Sequence, residues 1–162
     1  MTRKRIVITM AAAVLSMAVA GCQHTARVAP APQCDFRAIK AKAPARGPVL
    51  VPQVPGSAEA MPLNAVNIMD AAITNKIVVQ STNARREGNG DISVFARLLN
   101  CTDFPLQLEA RTHFLDGVQI DAEPVTAWTR LHATAHGFVA YTTRSTAGMA
   151  VESYLIEVRE GR

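Results

Sequence analysis

Residues 63–162 predict an all-β fold, a small antiparallel β-sandwich, and three observations predict it. Apolar and polar residues alternate with a period of two along several short runs, the pattern of strands with one buried face. Asn89-Gly90, Thr102-Asp103 and Asp116-Gly117 place turn residues between those runs. A period near 3.6 never lasts, and only Asp70 to Asn75 offers a turn or two of helix. About 100 residues suffice for one such core.

The chain opens on something else. Arg3, Lys4 and Arg5 precede a mostly apolar run from Ile6 to Ala20. That run suits the hydrophobic region of a secretion signal and is short for a membrane span. Val19-Ala20-Gly21-Cys22 then resembles a bacterial lipobox: a branched apolar residue, two small ones that let the backbone enter a peptidase cleft, and a thiol for lipid. The expectation is a signal peptide over residues 1–21, cleavage between Gly21 and Cys22, and diacylglycerol and palmitate on Cys22. Two or more acyl chains hold firmly where one holds weakly. The residue after the cysteine is Gln23 rather than aspartate, which under the sorting rule that goes with the lipobox favours the outer membrane, facing the periplasm.

Residues 22–62 read as a tether. Seven of the nine prolines fall there, from Pro30 to Pro62, and no periodicity persists; such a segment tends toward polyproline II. Its basic residues Arg27, Arg37, Lys40, Lys42 and Arg46 outnumber Asp35 and Glu59, so it is expected to be a solvated linker, the alternative being a segment lying against anionic lipid or cell-wall polymer. The charge of the mature domain excludes nucleic acid as a partner class. Removing Arg3, Lys4 and Arg5 from 17 basic residues leaves 14 against 13 acidic, a net charge of +1.

With Cys22 lipidated, Cys34 and Cys101 remain. In an oxidising compartment a disulfide between them is the expectation and two free thiols the alternative. The bridge would dock the segment around Phe36 and Ile39 beside Asn100-Cys101-Thr102 and shorten the reach from the membrane to about 12 residues, roughly 37 Å.

Within 63–162, strands are expected at Asn64–Met69, Ile77–Gln80, Ile92–Leu99, Leu106–Leu115, Phe138–Thr143 and Tyr154–Arg159. In Leu106–Leu115 the residues Leu106, Leu108, Ala110, Thr112 and Phe114 fall on one face. A three-residue Leu115-Asp116-Gly117 loop would pair Phe114 with Val118, Thr112 with Ile120 and Ala110 with Ala122, with Gly117 in the left-handed position. Trp128 is either core or an exposed anchor, and core is expected.

Asn100-Cys101-Thr102-Asp103-Phe104-Pro105-Leu106, Arg111-Thr112-His113-Phe114-Leu115-Asp116-Gly117, Trp128 and Tyr154-Leu155-Ile156-Glu157-Val158-Arg159 together resemble the YcfL-like family of small bacterial outer-membrane lipoproteins. The likeness spans about the last 65 residues and departs in the short Asp116-Gly117 connection and in Cys101. It implies an immunoglobulin-like sandwich on the envelope and no established activity.

No catalytic constellation assembles from these spacings. His132 and His136 would share a helical face, but four strand residues span about 13 Å, too far for one ion. Ser145 and Ser153 lack a nucleophile elbow, and Cys101 with His113 fits a bridge or a buried thiol better than a thiolate pair. Asp116 and Asp121 suit a turn. The expectation is therefore a non-catalytic binding or assembly module for an envelope protein, without a cofactor or metal beyond the lipid on Cys22. Two alternatives stay open: a metal-dependent or hydrolytic enzyme using His113, His132 and His136, and a passive structural lipoprotein.

Overall fold

A computed structural model describes residues 34–37, 49–50 and 61–162. The expected signal peptide, the expected Gly21–Cys22 cleavage and lipidation site and most of the expected tether, Ile39 included, lie outside the described residues.

Among the described residues nine strands follow one another: β1 (Val49–Leu50), β2 (Met61–Pro62), β3 (Ala65–Ile68), β4 (Ile77–Arg86), β5 (Ile92–Asn100), β6 (Leu106–Leu115), β7 (Thr129–Ala133), β8 (Phe138–Ser145) and β9 (Ser153–Glu160). A four-stranded sheet in the order β3-β9-β6-β7 faces a three-stranded sheet in the order β4-β5-β8. The chain is an all-β sandwich. A single-turn 3₁₀ helix at Gly148–Ala150 and a hydrogen-bonded turn from Asp70 to Ile77 interrupt the strands.

The period of two decides which side chains make the core. Ile92, Val94, Ala96 and Leu98 of β5 meet Leu106, Leu108, Ala110 and Phe114 of β6 and Tyr154, Ile156 and Val158 of β9 in one buried cluster. At about 25 cal/mol per Å² of apolar surface, this interior supplies the main driving force. Inside it, the hydroxyls of Thr112 and Tyr141 lie 3.0 Å apart, and the Thr112 N–H donates to Thr126 Oγ1 at 2.8 Å. These buried polar groups are satisfied by one another.

One end of the sandwich is organised by Asn100, which is fully buried. Its Nδ2 donates to the carbonyls of Phe104, Ala133 and Thr134, and its Oδ1 accepts from the N–H and hydroxyl of Thr102. One amide thus ties the β5–β6 turn to the end of β7. Cys101 next to it is bonded to Cys34, with Cα atoms 5.7 Å apart and a sequence separation of 67. At the far end Arg86 plays the corresponding part, donating to the carbonyls of Gly90, Gly148 and Val151.

Four expectations need correction. The pairing is not wholly antiparallel: β3 runs parallel to β9, because the chain leaves β3 through the Asp70–Ile77 turn directly into the other sheet. The tether stretch is not free of strand structure, since Val49–Leu50 pairs with Met61–Pro62.

The expected hairpin at 110–122 does not form. The Asp116 carboxylate accepts from the N–H groups of Val118 and Ile120, and Gln119, not Gly117, takes a positive φ of 65°. This side-chain cap widens the turn, so Leu115 bridges to Asp121 and Phe114 O accepts from Ala122 N–H. Val118 and Ile120 then stand in solvent, 74% and 64% exposed, and β7 takes the place beside β6, with Ala110 opposite Thr129. Trp128, finally, is half-buried on the outer surface rather than in the core.

Candidate functional site

The longest edge strand among the described residues is β4, and its two halves differ. Ile77 and Val78 are buried, whereas from Ser81 to Arg86 only Thr82 is partly covered. β3, near its first half, has only four residues and joins β9, leaving the second half of β4 beside an open seam. Among the described residues β4 pairs with β5 alone. A bulge at Gln80, between Val79 and Ser81, marks the change.

The seam is a cleft of about 370 Å³ lined by residues that include Asn64, Thr82, Ala84, Ile92, Ser153 and Tyr154. Asn64 has a φ of 55° and holds Tyr154 by both backbone directions: its N–H donates to Tyr154 O at 2.7 Å, and its Oδ1 accepts from Tyr154 N–H at 3.1 Å. Burial raises the pKa of the Tyr154 hydroxyl above its ordinary 10.0, against the opposing effect of its hydrogen bond with Thr82. The cleft thus joins a neutral phenol and small polar side chains to an open strand edge, a combination suited to an extended peptide.

The second half of β4 is not legible as apolar alternation, because Ser81-Thr82-Asn83-Ala84-Arg85-Arg86 is polar almost throughout. The signal that could find it is Asn89-Gly90: a hairpin there obliges the residues before it to pair with all of β5, and Arg86 indeed lies opposite Ile92 and Ile77 opposite Asn100.

The outer face of the four-stranded sheet carries a ladder of charge. Glu109 of β6 accepts from Arg159 of β9 at 2.7 Å and from Arg130 of β7 at 3.2 Å. Arg159 first and Arg130 second hold the pKa of its carboxyl below the ordinary 4.5. One step along, Arg111 pairs with Glu157 at 2.6 Å. The guanidinium carbons of Arg111 and Arg159 lie 4.5 and 3.9 Å from the Trp128 ring centroid. An Arg, a Trp and an Arg far apart in sequence therefore form one cation–π cluster. Its charges are neutralised within the sheet, which marks it as support for the fold.

The histidines do not converge. His113 sits between Asp121, 3.1 Å from Nδ1, and Glu157, 3.2 Å from Nε2, so both ring nitrogens are engaged. His132 lies opposite Gln107, six strand residues and about 20 Å from His113. His136, in the turn after β7 with a φ of 50°, bonds Asp103. Among the described residues no three His, Cys, Asp or Glu side chains are placed to hold a metal ion. Ser145 is buried, with its hydroxyl accepting from Ala147 N–H, and Ser153 begins β9. Cys101 is engaged with Cys34 and not with His113.

No family model matches the chain, and no curated protein matches it. Among solved structures it is similar to Campylobacter jejuni cj0090, at 14% identity and a TM-score of 0.47, over 60% of this chain and 99% of that one. It is also similar to a DUF1425 family member from Shewanella sp. pv-4, at 16% identity and a TM-score of 0.45, over 53% of this chain and 79% of that one.

Proposed function

We propose that this chain is a YcfL-like lipoprotein, anchored through Cys22 at the periplasmic face of the outer membrane, and that it is a non-catalytic binding module for an envelope protein. The observation that carries the binding role is the second half of β4: an edge without a second strand partner among the described residues, flanked by the cleft at Thr82, Asn64 and Tyr154. An extended segment of the partner adds beside Thr82 and Ala84 as a further strand. Its backbone completes the ladder, and every second side chain enters the cleft. Arg85 and Arg86 at the end of the edge limit addition of the chain to itself, as edge cations do.

Photocrosslinking in living cells tests this. A crosslinking residue at Thr82 or Ala84 should give one discrete adduct with an envelope protein. The same residue at Thr142, exposed on β8 at the opposite edge of that sheet, serves as the control. Adducts absent at β4, or equally abundant at Thr142, would contradict the edge-strand role.

A further inference from the structure

We infer that the end of the sandwich carrying Cys101 rests on the lipid bilayer, with Phe104 and Phe138 seated in the headgroup region. This inference rests on the proposed anchoring through Cys22 and adds to it an orientation and a contact surface.

Strand directions bring this end together. β4 and β8 begin here and β5 ends here, since Ile77 lies opposite Asn100 and Phe138 opposite Leu99. The C-terminal ends of β3 and β9 arrive here too, with Met69 N–H donating to Val158 O. Three large apolar side chains project at this end: Phe104, 52% exposed, Met69, 48%, and Phe138, 46%. Single exposed apolar residues need no explanation. These three share one end, and Lys76 places its ammonium 5.9 Å from the Phe104 ring centroid. Aromatic rings with a nearby lysine suit the boundary between acyl chains and headgroups.

No cationic excess surrounds them. Lys76 and Arg162 stand at the same end as Asp70, Asp103 and Glu160, and His136 is paired with Asp103 at 2.8 Å. Attraction to anionic lipid is therefore not the driving term; insertion of the apolar side chains is.

The leash selects this end over the other. Twelve positions separate Cys22 from Cys34, a span of at most about 40 Å when fully extended. The disulfide fastens the end of that leash to Cys101. The far end carries Val118, Ile120 and Met149, also exposed. It lies about one ten-residue strand away, roughly 33 Å. Bringing it to the bilayer would draw the leash almost straight along the domain, whereas the Cys101 end reaches the lipid with length to spare.

The test uses the lipidated full chain inserted into vesicles of phosphatidylethanolamine and phosphatidylglycerol, part of whose acyl chains are brominated near the headgroup. Phe104→Trp, Phe138→Trp and Val118→Trp each add one fluorophore to the common signal of Trp128. All should float with the vesicles. Bromine should remove the added emission of Phe104→Trp and Phe138→Trp and leave that of Val118→Trp. Flotation without loss at either phenylalanine position, or loss at Val118→Trp alone, would overturn the orientation and leave the anchor standing. A chain that does not float would overturn the anchor and the orientation with it.

Discussion

Asn100 shows how much one buried amide can hold. Its side chain satisfies three carbonyls and two donors, so Asn100→Leu leaves buried groups without partners and should cost about 3 kcal/mol in denaturant unfolding. The Asn-x-Thr spacing is visible in the sequence; the reach to Ala133 and Thr134 is not, because it depends on where β7 ends. Glu109 gives a prediction in pH. The pKa of its carboxyl is held low by Arg159 and then Arg130, so it contributes stability that is present above the ordinary 4.5 and lost as pH falls through the lower folded value. Glu109→Gln should therefore flatten the loss of stability below about pH 4.5, measured as melting temperature against pH. An unchanged acid profile would show that the ladder does not couple to folding.

β5, β6 and β9 are legible because each turns an alternating apolar face to the main core, and the alternation of Leu106, Leu108, Ala110, Thr112 and Phe114 is the alternation of that core. Leu115 and Leu155 are buried in a second, smaller cluster with Leu63. The segment after β6 departs from its pattern for a physical reason. Asp116-Gly117 has the composition of a tight hairpin, but the Asp116 carboxylate caps two later N–H groups and moves the left-handed residue to Gln119. The two geometries predict opposite mutants. Gln119→Val should cost about 1–2 kcal/mol, since a β-branched residue is strained at positive φ. Gly117→Val should cost less than about 1 kcal/mol, because its added Cβ meets only the movable Glu152 carboxylate at 2.9 Å. The reverse order of stabilities in thermal unfolding would restore the tight hairpin.

For the whole molecule, the bridge between Cys34 and Cys101 joins the stretch after Cys22 to the end of the domain organised by Asn100. In a chain-entropy description, closing 67 positions contributes about 4 kcal/mol, so the double variant Cys34→Ser/Cys101→Ser should lose up to that amount in chemical unfolding. Counting cysteines makes the pairing the expectation and two free thiols the alternative; where the bridge sits relative to Phe104 and Phe138 requires the strand directions. The proposed anchoring is tested most directly by non-reducing digestion and mass spectrometry of the protein extracted from bacterial membranes. The expected result is a chain beginning at Cys22 with acyl mass on that residue and a Cys34 peptide linked to the Cys101 peptide. An unprocessed N-terminus, or an unmodified Cys22 with Cys34 and Cys101 both freely alkylated, would contradict it.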